Sequence, residues 1–514
     1  MPLGGLDDVD WPSLTHAYGP AIATANELRA LVSEKEAERS EALGSLTASI
    51  GHQGDVYPAT AAAVPFLVEI ALMETLPSDS RKSVIVFIDW IAQGNINLRR
   101  FHPDWAEEPW GQSLEKNLRQ ATPHLMGLLR SRNSTEVRAW AVWVIRDLPA
   151  TPEDLDALRA AAVGEEDAVV KATIALTLPA SDPLLKELIS AGEDPLVRLC
   201  AAAQQVAAAT DVKSLVTIAR ECLPQIRRFA EMPSSSDVDM SPIRMVAARL
   251  GMASPDDQVG WIELWLKDAG RLEEALFAAW DAGDKRRSMA RLLVGPVADV
   301  LSRSHDSDSL STAASTLISL GLPGVGRLRQ LATSLSGQAL DYATQRLALA
   351  QVQIDASASG PWRTETSNLA PPAELAAKLL AITPQRAESQ DAMEALSELA
   401  SWGPRASEQA AVVEKLLDHP RSVWLRANSA RALAQITGDY GRSVAVLMRD
   451  FEPAPVGVFI ARALGDFGPH ATAALPILRE YVDRDLRPEG IWALEDDLLA
   501  AACADAIKQI EGVL

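Results

Sequence analysis

A short pattern recurs along this chain and constrains its fold more than any other feature: an acidic or hydroxyl residue, a β-branched residue or leucine, a basic residue, then alanines at helical spacing. Five copies are legible. They are Glu136-Val137-Arg138 with Ala139 and Ala141, Asp167 through Val170-Lys171 with Ala172 and Ala175, and Asp194 through Val197-Arg198 with Ala201 and Ala202. The other two are Asp239 through Ile243-Arg244 with Ala247 and Ala248, and Ser422 through Leu425-Arg426 with Ala427 and Ala430. From Arg138 to Lys171 is 33 residues and from there to Arg198 is 27, the length of one helix-turn-helix unit. The next interval, 46 residues to Arg244, predicts an inserted polar loop at Glu231 to Asp237.

The C-terminal third repeats in a related form, Arg431-Ala432-Leu433 returning 31 residues later as Arg462-Ala463-Leu464, with Ala395-Leu396 a weaker echo. Trp402-Gly403-Pro404 and Phe467-Gly468-Pro469 punctuate it, glycine ending one helix and proline preventing its continuation. A serine-, alanine-, glycine- and proline-rich stretch, Asp355 to Pro372, reads as a loop between a middle and a C-terminal array. The hydrophobic content, 48%, includes only 5% aromatic residues, so alanine, leucine and valine carry it, and the alternation expected of strands is missing. The class read from the residues is all-α.

The acidic-x-x-Val-Arg-x-x-Ala pattern at intervals near 30 resembles HEAT repeats, particularly the short HEAT-like variety of the phycobilisome-lyase type, over most of residues 126 to 514. That resemblance implies an α-solenoid, a superhelix of antiparallel helix pairs in an open-ended stack. It implies little about activity, because HEAT arrays include scaffolds, transport adaptors, lyase subunits and a few DNA glycosylases. The expected organisation is an N-terminal helical cap with a non-repeat loop (1–125), a HEAT-like array (126–355), and further repeats continuing it (356–514). Within each unit the acidic residue is expected to cap the second helix and the basic residue to pair with a neighbouring carboxylate.

Charge narrows the partner. Sixty-nine acidic against 48 basic residues give a net charge of −21, which opposes sequence-independent binding to nucleic acid and favours a protein partner with a basic face. Cys200, Cys222 and Cys503 form no CxxC pair and fit a reducing compartment. The opening residues have neither the positive nor the apolar region of a secretory signal, and apolar runs such as Ala201 to Ala209 are too short to span a bilayer, so a cytoplasmic protein is expected.

Residues 1 to 125 hold the densest set of candidate side chains. His16 and Tyr18 lie in one polar-aromatic cluster, and His52, Gln53 and Tyr57 in another flanked by Gly51 and Gly54. Both clusters resemble the opening of a group of uncharacterised bacterial HEAT-like proteins. They read either as a polar pocket or as groups that tie down the turns of a capping helix pair. Trp90, Arg99, Arg100, His102, Trp105 and Trp110 fall in a stretch expected to be looped, which serves either as a contact surface or as packing over the end of the solenoid.

No catalytic constellation is present in the sequence. The seven histidines, His16, His52, His102, His124, His305, His419 and His470, are scattered singly; His102 with Asp104 is a weak metal fragment, and no cofactor is implied. Gly321, Gly324 and Gly326 lack the flanking features of a nucleotide loop and read as a helix-helix turn, and Ser304 to Ser315 as a polar loop and helix start. Asp7-Asp8, Glu107-Glu108, Asp256-Asp257 and Asp496-Asp497 read as solvated faces, and Trp140/Trp143 and Trp261/Trp265 as core. The leading expectation is a non-enzymatic scaffold or adaptor. The alternatives are a HEAT-like DNA-repair glycosylase or nucleic-acid-binding protein, which needs a basic concave face, and an immunity protein masking a basic toxin.

Overall fold

The capping expectation is met in the second, third and fifth copies, at Asp167, Asp194 and Ser422. In the computed structural model Ser134 accepts from the Val137 amide (3.4 Å), Asp167 from Val169 (2.9 Å), Asp194 from Leu196 (2.8 Å) and Ser422 from Leu425 (3.0 Å). Each satisfies an amide that its helix leaves orphaned. In the first copy the cap is Ser134 and not the acidic Glu136, which lies inside the first turn. The structure describes residues 3–129, 132–190, 192–209, 212–226, 228, 231–233, 242–267, 272–359, 370–381, 390–420, 422–451 and 455–512. Residues 234–237 of the expected inserted loop lie outside them, as do Asp239 of the fourth copy and residues 360–369 of the stretch expected to link two arrays. Asp355 to Ser359 continue the helix Gly337–Ser359.

Packing divides the chain into two compact units, Met1–Trp261 and Ile262–Leu514. Both are α-helical. Among the described residues the strands are Thr15–His16 and Gly19–Pro20, an antiparallel pair of two residues each.

In the first unit two kinds of helix alternate. Thr135–Ile145, Ala168–Thr177 and Pro195–Gln205 are buried almost throughout and stack on one another, the third touching Pro242–Ala253. The intervening helices bury single stripes, Leu158 and Ala162 in Pro152–Gly164 and Leu215, Val216, Ala219 and Cys222 in Val212–Cys222. Alanines explain the close stacking: Ala139, Ala141, Ala172, Ala175 and Ala201 are fully buried and keep the inner helices thin. The expected core tryptophans Trp140, Trp143, Trp261 and Trp265 are all buried.

The second unit repeats the scheme. Gln390–Trp402, Val423–Thr437, Pro455–Asp466 and Ala493–Glu511 stack in series. Gly403 and Gly468 open two seven-residue 3-10 turns at φ 55° and 54°, values that an L side chain adopts only under strain, which accounts for glycine at both.

One feature departs from an open-ended stack. The last helix, Ala493–Glu511, also touches Ser307–Ser319, Leu322–Ala332 and Gly337–Ser359 from the start of the same unit. The strip before it pairs backbone to backbone with the junction at Arg286: the Arg287 amide donates to Asp485 O and the Arg487 amide to Lys285 O, both at 2.9 Å. The second unit is therefore closed upon itself.

Candidate functional site

The N-terminal polar residues meet in the first unit. Ala17 N donates to Ser49 O (3.2 Å) and ties the Thr15–Pro20 hairpin to the end of the helix Glu36–Ile50. This places Tyr18 Oη 3.2 Å from His52 Nδ1, with their rings edge to face at 5.2 Å, while the Tyr18 amide donates to His16 Nδ1 (3.1 Å). His16 therefore carries its proton on Nε2 when neutral.

The turn that presents His52 is held from behind. Trp90 Nε1 donates to Gly51 O at 2.7 Å. A Cβ on Gly51 would lie 2.8 Å from the Phe87 ring, and one on Gly94 would lie 2.7 Å from Gly54 O. The helix Ser78–Phe101 thus runs in backbone contact with the turn, and only glycine fits at both positions. Gln53, exposed between Gly51 and Gly54, sits at φ 54°, a left-handed conformation that a non-glycine residue keeps only where its surroundings enforce it. Tyr57 opens the next helix, Pro58–Leu72, its amide donating to Thr60 Oγ1 (2.8 Å). Burial, with the nearby Asp55 and Tyr18, raises the Tyr57 hydroxyl above its usual pKa. His16, Tyr18, His52, Gln53, Tyr57 and Trp90 accordingly share one region.

The second candidate segment is not the expected loop. Trp90 through Phe101 belong to the 24-residue helix Ser78–Phe101, and the short helix Pro103–Ala106 and the long helix Pro109–Met126 follow at once. Ile88, Ile91, Ala92, Asn95 and Leu98 bury one stripe, spaced by three and four residues, and hold the segment helical despite its asparagines. At its end the chain turns sharply. Phe101 (61% exposed) and Trp105 (53% exposed) project into solvent, His102 stacks on Trp105 at 5.0 Å, and the Arg100 guanidinium lies 5.1 Å from the Phe101 ring centre.

Arg99 is committed to Glu115, which also accepts from Arg119, and Trp110 Nε1 donates to Glu108 (2.9 Å). Asp104, Glu107 and Glu108, close to the rings in sequence, are exposed. Gly111 fixes the knuckle, since a Cβ there would lie 2.5 Å from Trp105 O.

A buried polar layer lies beneath. Asp89 is wholly buried, and neither carboxylate oxygen has a hydrogen-bond partner among the described residues. Burial, reinforced by Asp147 and partly offset by Arg146, pushes its pKa up to about 7. Arg146 binds Asp147 through Nε (2.9 Å) and Nη2 while lying 3.8 Å over the Trp143 ring, and Gln93 donates to the same carboxylate. Arg249 pairs with Gln204.

The basic residues of the repeat form a ladder. Arg138 pairs with Glu165, Lys171 with Glu193 (3.2 Å), Arg198 with Glu221 (3.4 Å) and Arg426 with Asp450 (2.5 Å). Each cation sits four residues after its cap and reaches a carboxylate 22 to 27 residues further on. Burial works against ionisation of Asp450, but Arg426 and Arg449 outweigh it and hold the carboxyl below its usual range.

No protein-family model and no curated protein matches the chain. Among solved structures it is similar to the karyopherin Kap121p bound to the SUMO protease Ulp1p, at 13% identity over 95% of this chain and 52% of that one, with a TM-score of 0.28. Kap121p bound to RanGTP gives 14% identity over 95% and 52%, TM-score 0.30, and Kap121p alone 13% over 95% and 53%, TM-score 0.29. The chain spans about half the length of these relatives in fold. The stacking of its helices is read from their own packing.

Three carboxylates, Asp89, Asp257 and Asp496, escape sequence reasoning. Asp89 left one trace, a lone carboxylate inside the apolar run Val84 to Ile91. Asp496 and Asp257 were expected to be solvated and are not. Asp257 accepts from Arg220 Nη2 (2.9 Å) with its side chain largely covered. Asp496 is fully buried, receiving Arg287 Nε (2.7 Å) and Nη2 (2.8 Å), Arg487 Nη1 (2.7 Å) and Tyr481 Oη (2.7 Å). Asp497 binds the same Arg487 (2.7 Å) and the Leu322 amide (2.9 Å), so the glycine-rich turn at Gly321 is an anchored helix start.

Among the described residues no group of three or more His, Cys, Asp or Glu is placed to hold a metal ion, and no helix is long and apolar enough to cross a membrane.

Proposed function

We propose that this protein is a non-enzymatic scaffold or adaptor that binds a protein partner with a basic face on a helical surface. The observation that carries this reading is the fate of the repeat's cations. Arg138, Lys171, Arg198 and Arg426 are half-buried or buried and each is paired with a carboxylate. A phosphate-binding track needs free guanidinium and ammonium groups that release counterions on contact. Here the repeat spends its cations internally, and the excess of acid in a net charge of −21 remains to attract positive charge. The resemblance to phycobilisome-lyase-type HEAT proteins of bacteria belongs to this reading, and so does a reducing cytoplasmic setting, which suits three buried thiols. An immunity protein masking a basic toxin is its narrower form.

Affinity capture with the full chain from a lysate of its source organism, at about 50 and about 300 mM salt, tests it. The expected result is retention of basic proteins at the lower salt and their release at the higher. Retention of no protein at low salt, or tight binding of a DNA duplex at about 150 mM salt, overturns the reading. The second of those outcomes would favour a nucleic-acid-directed repair protein, whose support is the Arg146 guanidinium over Trp143 beside Asp147 and Asp89.

A further inference from the structure

Resting on the scaffold reading, we infer that the knuckle formed by Phe101, His102 and Trp105 is the seat for an arginine side chain of the protein partner. Three observations combine. The rings stand in solvent: Phe101 and Trp105 are more than half exposed at the end of a helix whose other large apolar groups are mostly buried, and they are separated by only the three residues 102–104. The rim carries three exposed carboxylates, Asp104, Glu107 and Glu108, and of the two arginines that lead into the knuckle Arg99 is taken by Glu115 while Arg100 lies against Phe101, so the ring on offer is that of Trp105. The support is rigid, because His102 stacks on one face of Trp105 and Gly111 brings the next helix into backbone contact with Trp105 and Ala106.

The choice of arginine follows from chemistry that the chain uses on itself. Arg146 lies over the Trp143 ring at 3.8 Å while its fork grips the neighbouring Asp147, and Arg405 lies 4.6 Å over Trp402. A planar guanidinium stacks on an indole and still offers its edge to carboxylates, which an ammonium does not. Trp105 with Asp104, Glu107 and Glu108 presents the same two residue types, an indole and nearby carboxylates, and one face of the indole is covered by His102 rather than by a guanidinium. An incoming arginine completes the arrangement, and a stacked ring preorganised by His102 loses little freedom when it does so.

The test uses the full chain and fluorescently labelled nona-arginine, nona-lysine and neutral glycine-serine peptides of equal length, read by anisotropy at about 50 mM salt. Nona-arginine is expected to bind more tightly than nona-lysine, and the neutral peptide not at all. Trp105→Ala is expected to weaken nona-arginine by about three- to thirty-fold and to erase its advantage over nona-lysine, with no change in thermal midpoint. Trp492→Ala, which removes an equally exposed indole from the second unit, is the control and leaves both peptides unchanged. Equal binding of the two cationic peptides to the unaltered protein, or an arginine preference that survives Trp105→Ala, overturns the inference. Capture of a basic partner undiminished by Trp105→Ala likewise overturns it while leaving the scaffold reading in place, whereas failure of any basic ligand to bind removes both.

Discussion

The guanidinium of Arg287 holds both carboxylate oxygens of Asp496 from 209 residues away along the chain. Arg487 and the Tyr481 hydroxyl complete the set. Burial opposes the charge on Asp496, yet the bonds from Arg287 and Tyr481 prevail and keep its carboxyl below the usual range. Removing it takes away the carboxylate that pairs with the buried Arg287 guanidinium and leaves the buried Arg487 with Asp497. Asp496→Ala is expected to cost about 3–5 kcal/mol, read by urea unfolding, whereas Asp505→Ala, on the exposed face of the same helix, stays within about 0.5 kcal/mol. Comparable effects from the two substitutions would contradict this account.

The ladder pair Arg138 and Glu165, both about nine-tenths covered, invites a double-mutant cycle. Arg138→Met alone leaves Glu165 buried without its partner and is expected to lose about 3 kcal/mol, and the double change Arg138→Met with Glu165→Met regains much of that. Strictly additive losses would mean the two side chains do not interact.

Asp89 predicts an unusual dependence on pH. Its folded-state pKa, about 7, lies above the unfolded value of 3.8, so the folded chain holds a proton that the unfolded chain releases between those limits. Its contribution to stability is intact below about pH 4 and declines as pH rises to about 7, up to about 4 kcal/mol in all, then levels. Calorimetry of the unaltered protein against Asp89→Asn and Asp89→Leu from about pH 4.5 to 8 is expected to show the unaltered protein losing stability relative to both variants as pH rises. A constant difference would dismiss the idea.

Gly94→Ala would push a methyl group against Gly54 O and Val56 and displace the turn at His52. The expected result is a loss of about 1–3 kcal/mol. Fluorescence of Tyr18 in a Trp-depleted background should report its separation from His52, while Gly44→Ala, which meets nothing, changes neither.

How far the residues announced this structure depended on range. Caps and ladder cations were legible because both hold fixed places at a helix start: Ser422 and Asp194 stand just before an apolar run, and Arg426 and Arg198 four residues later. The helix through Trp90 was missed because Gly94, Asn95 and Asn97 carry poor helix propensity, although the stripe from Ile88 to Leu98 was there to be read. The Arg287 and Asp496 pair left no local trace, for no periodicity relates groups so distant in sequence. The N-terminal cluster was found as residue types, but its assembly hangs on a hairpin contact, Ala17 to Ser49, that nothing in the spacing foretold.

A row of helix pairs can ordinarily gain or lose a member without straining the rest, and families of such proteins drift in length for that reason. The tie between the Arg286 junction and the strip around Arg487 removes this freedom from the second unit. An inserted pair between them would have to be absorbed by stretching the tie or breaking it, so the number of helices there is held by a bond and not by the stacking alone.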